Sequence, residues 1–189
     1  MEKRPQVKIC GINDAPFAAA AERQGADYLG LIFASGSPRQ ITVAQAKEII
    51  AGLSGRAKVV GVFMGSSVAD CRAVAEEVGL GIIQLHRRAT AEDVAALHAA
   101  DLEVWTLAGG APGDAVLFDS SHGDGEVFLR RGPWKTVLAG GISAANVAEA
   151  FRSGADIIDA SGSLETSPGK KSLDKLSAFM TEVTRLRTA

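Results

Sequence analysis

Several short apolar runs in this chain end in a residue able to do chemistry. Cys10 closes VKIC, Arg39 follows YLGLIF in the loop GSPRQI, His86 closes GIIQLH and Asp119 closes AVLFD. Gly140 and Gly141 follow TVLA, while Ser161, Gly162 and Ser163 follow IIDA. A thiol and a carboxyl held on opposed strand ends can serve as base and acid across one substrate. A thiol of ordinary pKa is mostly protonated near neutrality, so a cysteine base needs a nearby cation or a helix N-terminus. Arg39 can grip a carboxylate through two parallel hydrogen bonds, or stand solvated as surface arginines do. His86 can orient a ligand or satisfy a hydrogen bond at the rim.

The segments LAGGISAANV and DASGS suit phosphate. Glycines let a ligand approach the backbone, and amides at a following helix N-terminus favour negative charge. The simpler reading of Gly140 and Gly141 is a tight strand-to-helix turn, and their position supplies the weight for phosphate. A cysteine inside a strand is by itself a small hydrophobe, and an aspartate after VLF can merely cap a loop. What joins these residues is their common placement at strand ends.

The elements that must position them read as strands over 7–12, 28–33, 58–63, 81–86, 103–107, 115–120, 136–141 and 156–161. Several are apolar at successive positions, as in LGLIF and VVGVF, which is the mark of parallel strands buried on both faces. Between them, 3.6-residue patterns predict helices over 14–24, 42–53, 67–78, 90–99, 144–153 and 172–186. Thr90 with Asp93 reads as a variant capping box, and Gly25, Gly79 and Gly154 stand where helix-ending glycines belong.

This alternation predicts an α/β fold, either a closed barrel or an open doubly wound sheet. No dinucleotide fingerprint follows the first strand, so the reading is a single (β/α)8 TIM barrel. It is compact, with shortened connections after strands 5 and 6, where 108–114 and 123–133 are rich in glycine and proline. In such barrels the active site lies where the strands end, and phosphate is often held after strands seven and eight.

At 189 residues and 47% hydrophobic, the chain is expected to form one domain over 1–189. A net charge of -2 offers no polybasic field, so neither nucleic acid nor a membrane is an expected partner. The first thirty residues show no export signal, and no apolar run approaches the roughly 20 residues that span a bilayer. Cys10 and Cys71 lie far apart without metal-ligand spacing, which argues against a disulfide scaffold or a zinc site and for the reducing cytoplasm.

Taken together, VKICGI, GSPRQI, VGVF, IQLH, LFDS, LAGGISAANV and DASGSLETSPGKKSLDKLSAF resemble, in order and spacing, the successive motifs of the phosphoribosylanthranilate isomerases. The match runs over nearly the whole chain. The resemblance implies an Amadori rearrangement of N-(5-phosphoribosyl)anthranilate in tryptophan biosynthesis, with no cofactor and no metal. It also implies Cys10 as general base, Asp119 as general acid, Arg39 on the anthranilate carboxylate, and Gly140, Gly141 and Ser161 to Ser163 on the phosphate. The two anions would then lie at opposite ends of the substrate. The partner is a phosphorylated sugar-anthranilate, the assembly a monomer or homodimer; the alternative is a divergent paralogue that binds or isomerises a related aminated sugar phosphate. The sequence departs from the family in three places. Arg87 and Arg88 follow the histidine where a small glycine is usual, DASGS replaces DVSSG, and the loop HGDGEVFLRR after the aspartate is contracted.

Overall fold

The computed structural model describes residues 4–120 and 132–189. Eight parallel strands close into a barrel in chain order: β1 (Gln6–Cys10), β2 (Tyr28–Ile32), β3 (Lys58–Phe63), β4 (Ile82–Leu85), β5 (Glu103–Leu107), β6 (Ala115–Asp119), β7 (Lys135–Ala139) and β8 (Ile157–Ala160). Closure is made by β8 pairing back onto β1, with Lys8 opposite Asp159. Helices α1 (Ala15–Arg23), α2 (Val43–Ala51), α3 (Val68–Val78), α4 (Ala91–His98), α5 (Val147–Arg152) and α6 (Leu173–Thr188) cover the outside. The chain passes from β5 to β6 without a helix, as the run 108–114 predicts. The expected contraction after β6, in the loop HGDGEVFLRR, lies outside the described residues. One element has no counterpart in the sequence pattern, a short antiparallel hairpin of β9 (Glu165–Ser167) and β10 (Lys170–Lys171) that follows a 3-10 turn at Gly162–Leu164.

The helices begin where side chains satisfy their first free amides. Asp14 accepts from the Phe17 amide at 2.8 Å. Reciprocal capping boxes start α2 (Thr42 with Gln45), α3 (Ser67 with Asp70) and α4 (Thr90 with Asp93). Gly25, Gly79 and Gly154 end their helices at φ of 95°, 78° and 78°.

Burial falls into two shells. Outward-facing strand residues such as Val7, Ile9, Leu29 and Leu31 pack under the helices, against Phe17, Leu176 and Phe179 among others. The alternate residues fill the barrel itself, among them Tyr28, Val60, Ile82, Trp105, Val137 and Ile157. Size is graded along the axis. Near the strand starts Tyr28 and Trp105 meet edge to face at 4.9 Å. Towards the strand ends Gly30, Cys10 and Ala139 are among the inward positions, and their small size leaves room for a cavity.

The lower end is stitched by carboxylates. At the starts of β2, β6 and β8, Asp27, Asp114 and Asp156 accept the amides of Val7, Val104 and Thr136 on the preceding strand, at 2.7, 2.7 and 2.8 Å. Glu22, buried on α1, accepts three amides from the segment leading into β3: Ser54 at 2.7 Å, Arg56 at 2.8 Å and Ala57 at 3.1 Å. Burial alone would raise this carboxyl, yet those hydrogen bonds outweigh it and hold Glu22 at about 2, down from 4.5. A carboxyl depressed on folding contributes stability above its unfolded pKa and loses it as the pH falls through the folded one. Glu22→Gln is therefore expected to destabilise the fold by about 1–3 kcal/mol at neutral pH. The deficit should shrink as the pH is lowered from about 5 towards 2, which urea unfolding across that range will measure.

Candidate active site

All nine residues singled out in the sequence, Cys10, Arg39, His86, Asp119, Gly140, Gly141, Ser161, Gly162 and Ser163, line one cavity of about 490 Å³. It opens at the strand ends. Ile32, Ala34, Val62, Met64, Leu117 and Ala139 give it an apolar wall, and Met64 is half exposed there. A larger depression, about 840 Å³, lies at the opposite end beside His98, Asp114 and Trp134. Its volume does not make it the site, because Asp114 there is committed to the Val104 amide and to His98 at 2.9 Å.

The thiol of Cys10 enters the cavity from β1, almost wholly buried. Gly30 is its register partner on β2, and a Cβ built on Gly30 would stand 2.7 Å from the sulfur and 3.2 Å from Lys8 Cε. Only a bare backbone lets the thiol and the lysine stem share that space. Beneath the thiol, Lys8 Nζ bonds Asp159 Oδ2 at 2.7 Å, with both side chains buried. Burial pushes the thiol up and Asp159 adds to that push, while Lys8 pulls it down without cancelling the rise. Cys71, by contrast, is buried on α3, where the same desolvation pushes it up to about 11. Asp119 closes β6, half-buried, and looks into the cavity from a strand well away from β1.

The floor is polar. Asp159 Oδ1 and Gln84 Oε1 are buried without a hydrogen-bond partner among the described residues, and both side chains line the cavity. Buried acceptors in this state are costly unless a ligand satisfies them. His86 Nδ1 comes within 3.5 Å of Gln84 Nε2.

At the rim, Arg39 crosses the end of β1 to reach the hairpin. A Cβ on Gly11, whose φ is 75°, would fall 2.5 Å from Arg39 Cδ, so glycine is required for the crossing. The guanidinium then makes the planar fork expected of it, but onto the protein's own Glu165: Nε to Oε1 at 2.6 Å and Nη2 to Oε2 at 2.8 Å. Lys171, almost fully buried, bonds the same carboxylate at 2.9 Å. Burial would raise Glu165, but the two cations outweigh it and hold it low. Arg39 Nη2 also lies 3.4 Å from where a Gly162 Cβ would stand. The two expected anion sites therefore meet on neighbouring sectors of the rim, from β7 round to β2, instead of facing each other across it.

Ser161 Oγ donates to the Cys10 carbonyl at 3.0 Å, and Ser163 Oγ to that of Ile142. These bonds fix the turn after β8 against its neighbours on both sides. Gly140 and Gly141 take successive left-handed conformations, φ 102° and 63°. Arg87, a departure from the family pattern, bonds Asp93 at 2.6 Å at the start of α4, and neither it nor Arg88 lines the cavity. Lys8, Asp159, Glu165, Lys171 and Gln84 are site residues that the sequence pattern does not single out. Lys8 stands in the sequence only as an interruption of an apolar run; its even spacing with Cys10 is the available signal.

Glu165 holds two cations from different parts of the rim, and its loss would strand buried Lys171. Breaking one side of a buried ion pair costs about 3–5 kcal/mol. Glu165→Ala is expected to lower the unfolding temperature by about 10 °C in a thermal melt. A shift within about 2 °C would show that the network does not hold the rim.

Comparison with known proteins agrees with this geometry. A family model described as N-(5'phosphoribosyl)anthranilate (PRA) isomerase matches residues 7–182. The N-(5'-phosphoribosyl)anthranilate isomerase of Neisseria meningitidis serogroup B is 36% identical, over 97% of this chain and 99% of its own. The crystal structure of phosphoribosyl anthranilate isomerase from Thermus thermophilus superposes with a TM-score of 0.85 at 31% identity, covering 96% of this chain and 100% of that one. A second, in complex with reduced 1-(o-carboxyphenylamino)-1-deoxyribulose 5-phosphate, gives 0.82 at 26% identity, over 96% and 99% of the two chains. With a closed eight-stranded barrel, a polar cavity at its strand ends and a family match over most of its length, this chain belongs to the N-(5'-phosphoribosyl)anthranilate isomerase family.

Proposed function

We propose that this chain performs its family's isomerisation of N-(5'-phosphoribosyl)anthranilate in tryptophan biosynthesis by acid–base catalysis without a cofactor, with Asp119 as the acid and Cys10 as the base. The observation that carries the reading is that the thiol, the carboxyl and every anticipated anion-binding residue line one cavity. Such sites work chiefly by holding the reacting centre between groups that are already in position.

Asp119 gives its proton to the furanose ring oxygen as the C1–O bond breaks, and the anilino nitrogen lone pair forms a C1=N bond. The Cys10 thiolate then takes the C2 proton. The C2–H electron pair becomes a C1=C2 bond and the C=N pair returns to nitrogen, giving an enolamine. Transfer of the proton from sulfur to C1, and of the C2 hydroxyl proton to Asp119, gives the ketone and restores both groups.

The substrate's phosphate lies against the turns at Gly141 and at Ser161 to Ser163, where exposed amides favour an anion. Its carboxylate meets Arg39 at the guanidinium edge that Glu165 does not hold, and its ring lies along Ile32, Ala34 and Met64. Gln84 Oε1, otherwise unpartnered among the described residues, accepts from a ribose hydroxyl, with His86 beside it. Anchors at phosphate and carboxylate fix which face of the ribose meets Cys10.

Positioned acids and bases contribute about 10²–10⁴-fold each. Cys10→Ala and Asp119→Asn are expected to lower kcat by about that factor while folding and phosphate binding persist, as followed by the loss of substrate fluorescence at steady state. Near-normal turnover in either variant would reject the assignment. A Cβ on Gly141 would meet nothing within 4 Å, so a larger side chain there would project into open space on the cavity wall. Gly141→Val is expected to raise KM sharply, and an unchanged KM would move the phosphate elsewhere.

A further inference from the structure

A buried thiol is a poor base unless something stabilises its charged form, and the structure supplies a candidate in an unexpected place. Lys8 lies two residues before Cys10 on β1, so both side chains point into the barrel. Its stem passes with the sulfur over bare Gly30. Its ammonium is fully buried and bonds Asp159 on β8 at 2.7 Å. We propose that Lys8 is the positioning residue that stabilises the Cys10 thiolate when it forms, and that Asp159 fixes Lys8 beneath the sulfur. The inference rests on the reading of Cys10 as the base.

The charges facing Cys10 come from every element around it. Lys8 stands on its own strand, Asp159 on β8, Lys171 on β10 and Arg39 on the loop after β2, and Asp119 and His86 share the cavity. Arg39 and Lys171 share Glu165, which absorbs much of their field. Lys8 is the cation that shares the thiol's own space. Burial by itself would discharge the ammonium, but Asp159 and Cys10 outweigh it and keep Lys8 cationic. One proton of the ammonium goes to Asp159, which leaves others for the sulfur.

An energetic argument points the same way. A buried ion pair is weak evidence for stability, since an apolar pair of similar volume often serves as well. Most of this barrel's interior is apolar, and the buried charges Lys8 and Asp159 lie directly under the thiol.

The test reads the thiol directly. In a Cys71→Ala background, the rate of Cys10 alkylation by iodoacetamide is measured against pH. Lys8→Met should move the midpoint up by about 1–3 pH units. Lys8→Met with Asp159→Asn, which leaves no stranded charge, should also move it up, by less. If the single lysine variant does not fold, the double variant decides. A double-variant midpoint unchanged or lowered overturns the proposal. In turnover, the acidic limb of kcat in the double variant should move up with the thiol. A purely structural role would instead depress kcat at all pH values. If the alkylation midpoints move as expected and the kcat limb does not, the tuning by Lys8 stands and Cys10 is not the base.

Discussion

The ion pair between Lys8 and Asp159 lies at the seam where the last strand closes onto the first. Closure and chemistry meet there. Register at the seam puts Lys8 opposite Asp159, so the pairing that completes the barrel also sets a cation below Cys10. The rest of the site follows from that seam. Gly11 continues β1 and lets Arg39 cross, Ser161 continues β8 and bonds the Cys10 carbonyl, and Glu165 in the following hairpin receives Arg39. The residues proposed to recognise anions are thus tied to the strand that carries the proposed base.

The two ends of the barrel do different work. At the strand starts, Asp27, Asp114 and Asp156 are committed to backbone amides, Trp105 donates to Glu103 and Tyr28 to Gln6, and the interior is filled by rings. At the strand ends a cavity opens, and the buried acceptors of Gln84 and Asp159 line it. The larger depression at the lower end is lined instead by Asp114 and Asp156, whose carboxylates are already committed to backbone amides.

Much of this architecture is legible in the amino-acid sequence. Each apolar run forms a strand of the barrel within a few residues of its expected bounds, because a buried parallel strand needs apolar residues on both faces. The same property hides the rest. When both faces are apolar, alternation no longer says which side chains point inward, and Lys8 looks like a flaw in a run instead of one end of an internal pair. Asp159 stands inside the segment DASGS, where the serines beside it draw the eye as phosphate ligands. Glu165 and Lys171 depend on a hairpin of five strand residues, too short to carry a period. The sequence does not show that Nε and Nη2 of Arg39 are engaged by Glu165; only the three-dimensional path over Gly11 reveals this. Glu22 reads as an ordinary helix-surface charge, since its amide partners lie some thirty residues further along the chain.

The central claim is that one ligand can satisfy the anion-binding turns, the apolar wall and the acid–base pair at once. A crystal structure of this chain with reduced 1-(o-carboxyphenylamino)-1-deoxyribulose 5-phosphate tests it most directly. The account predicts phosphate on the amides at Gly141 and Ser161 to Ser163, carboxylate at Arg39, and the carbon that corresponds to C2 in contact with Cys10 Sγ. A ligand bound in the reverse sense, or with that carbon turned away from the thiol, would contradict it.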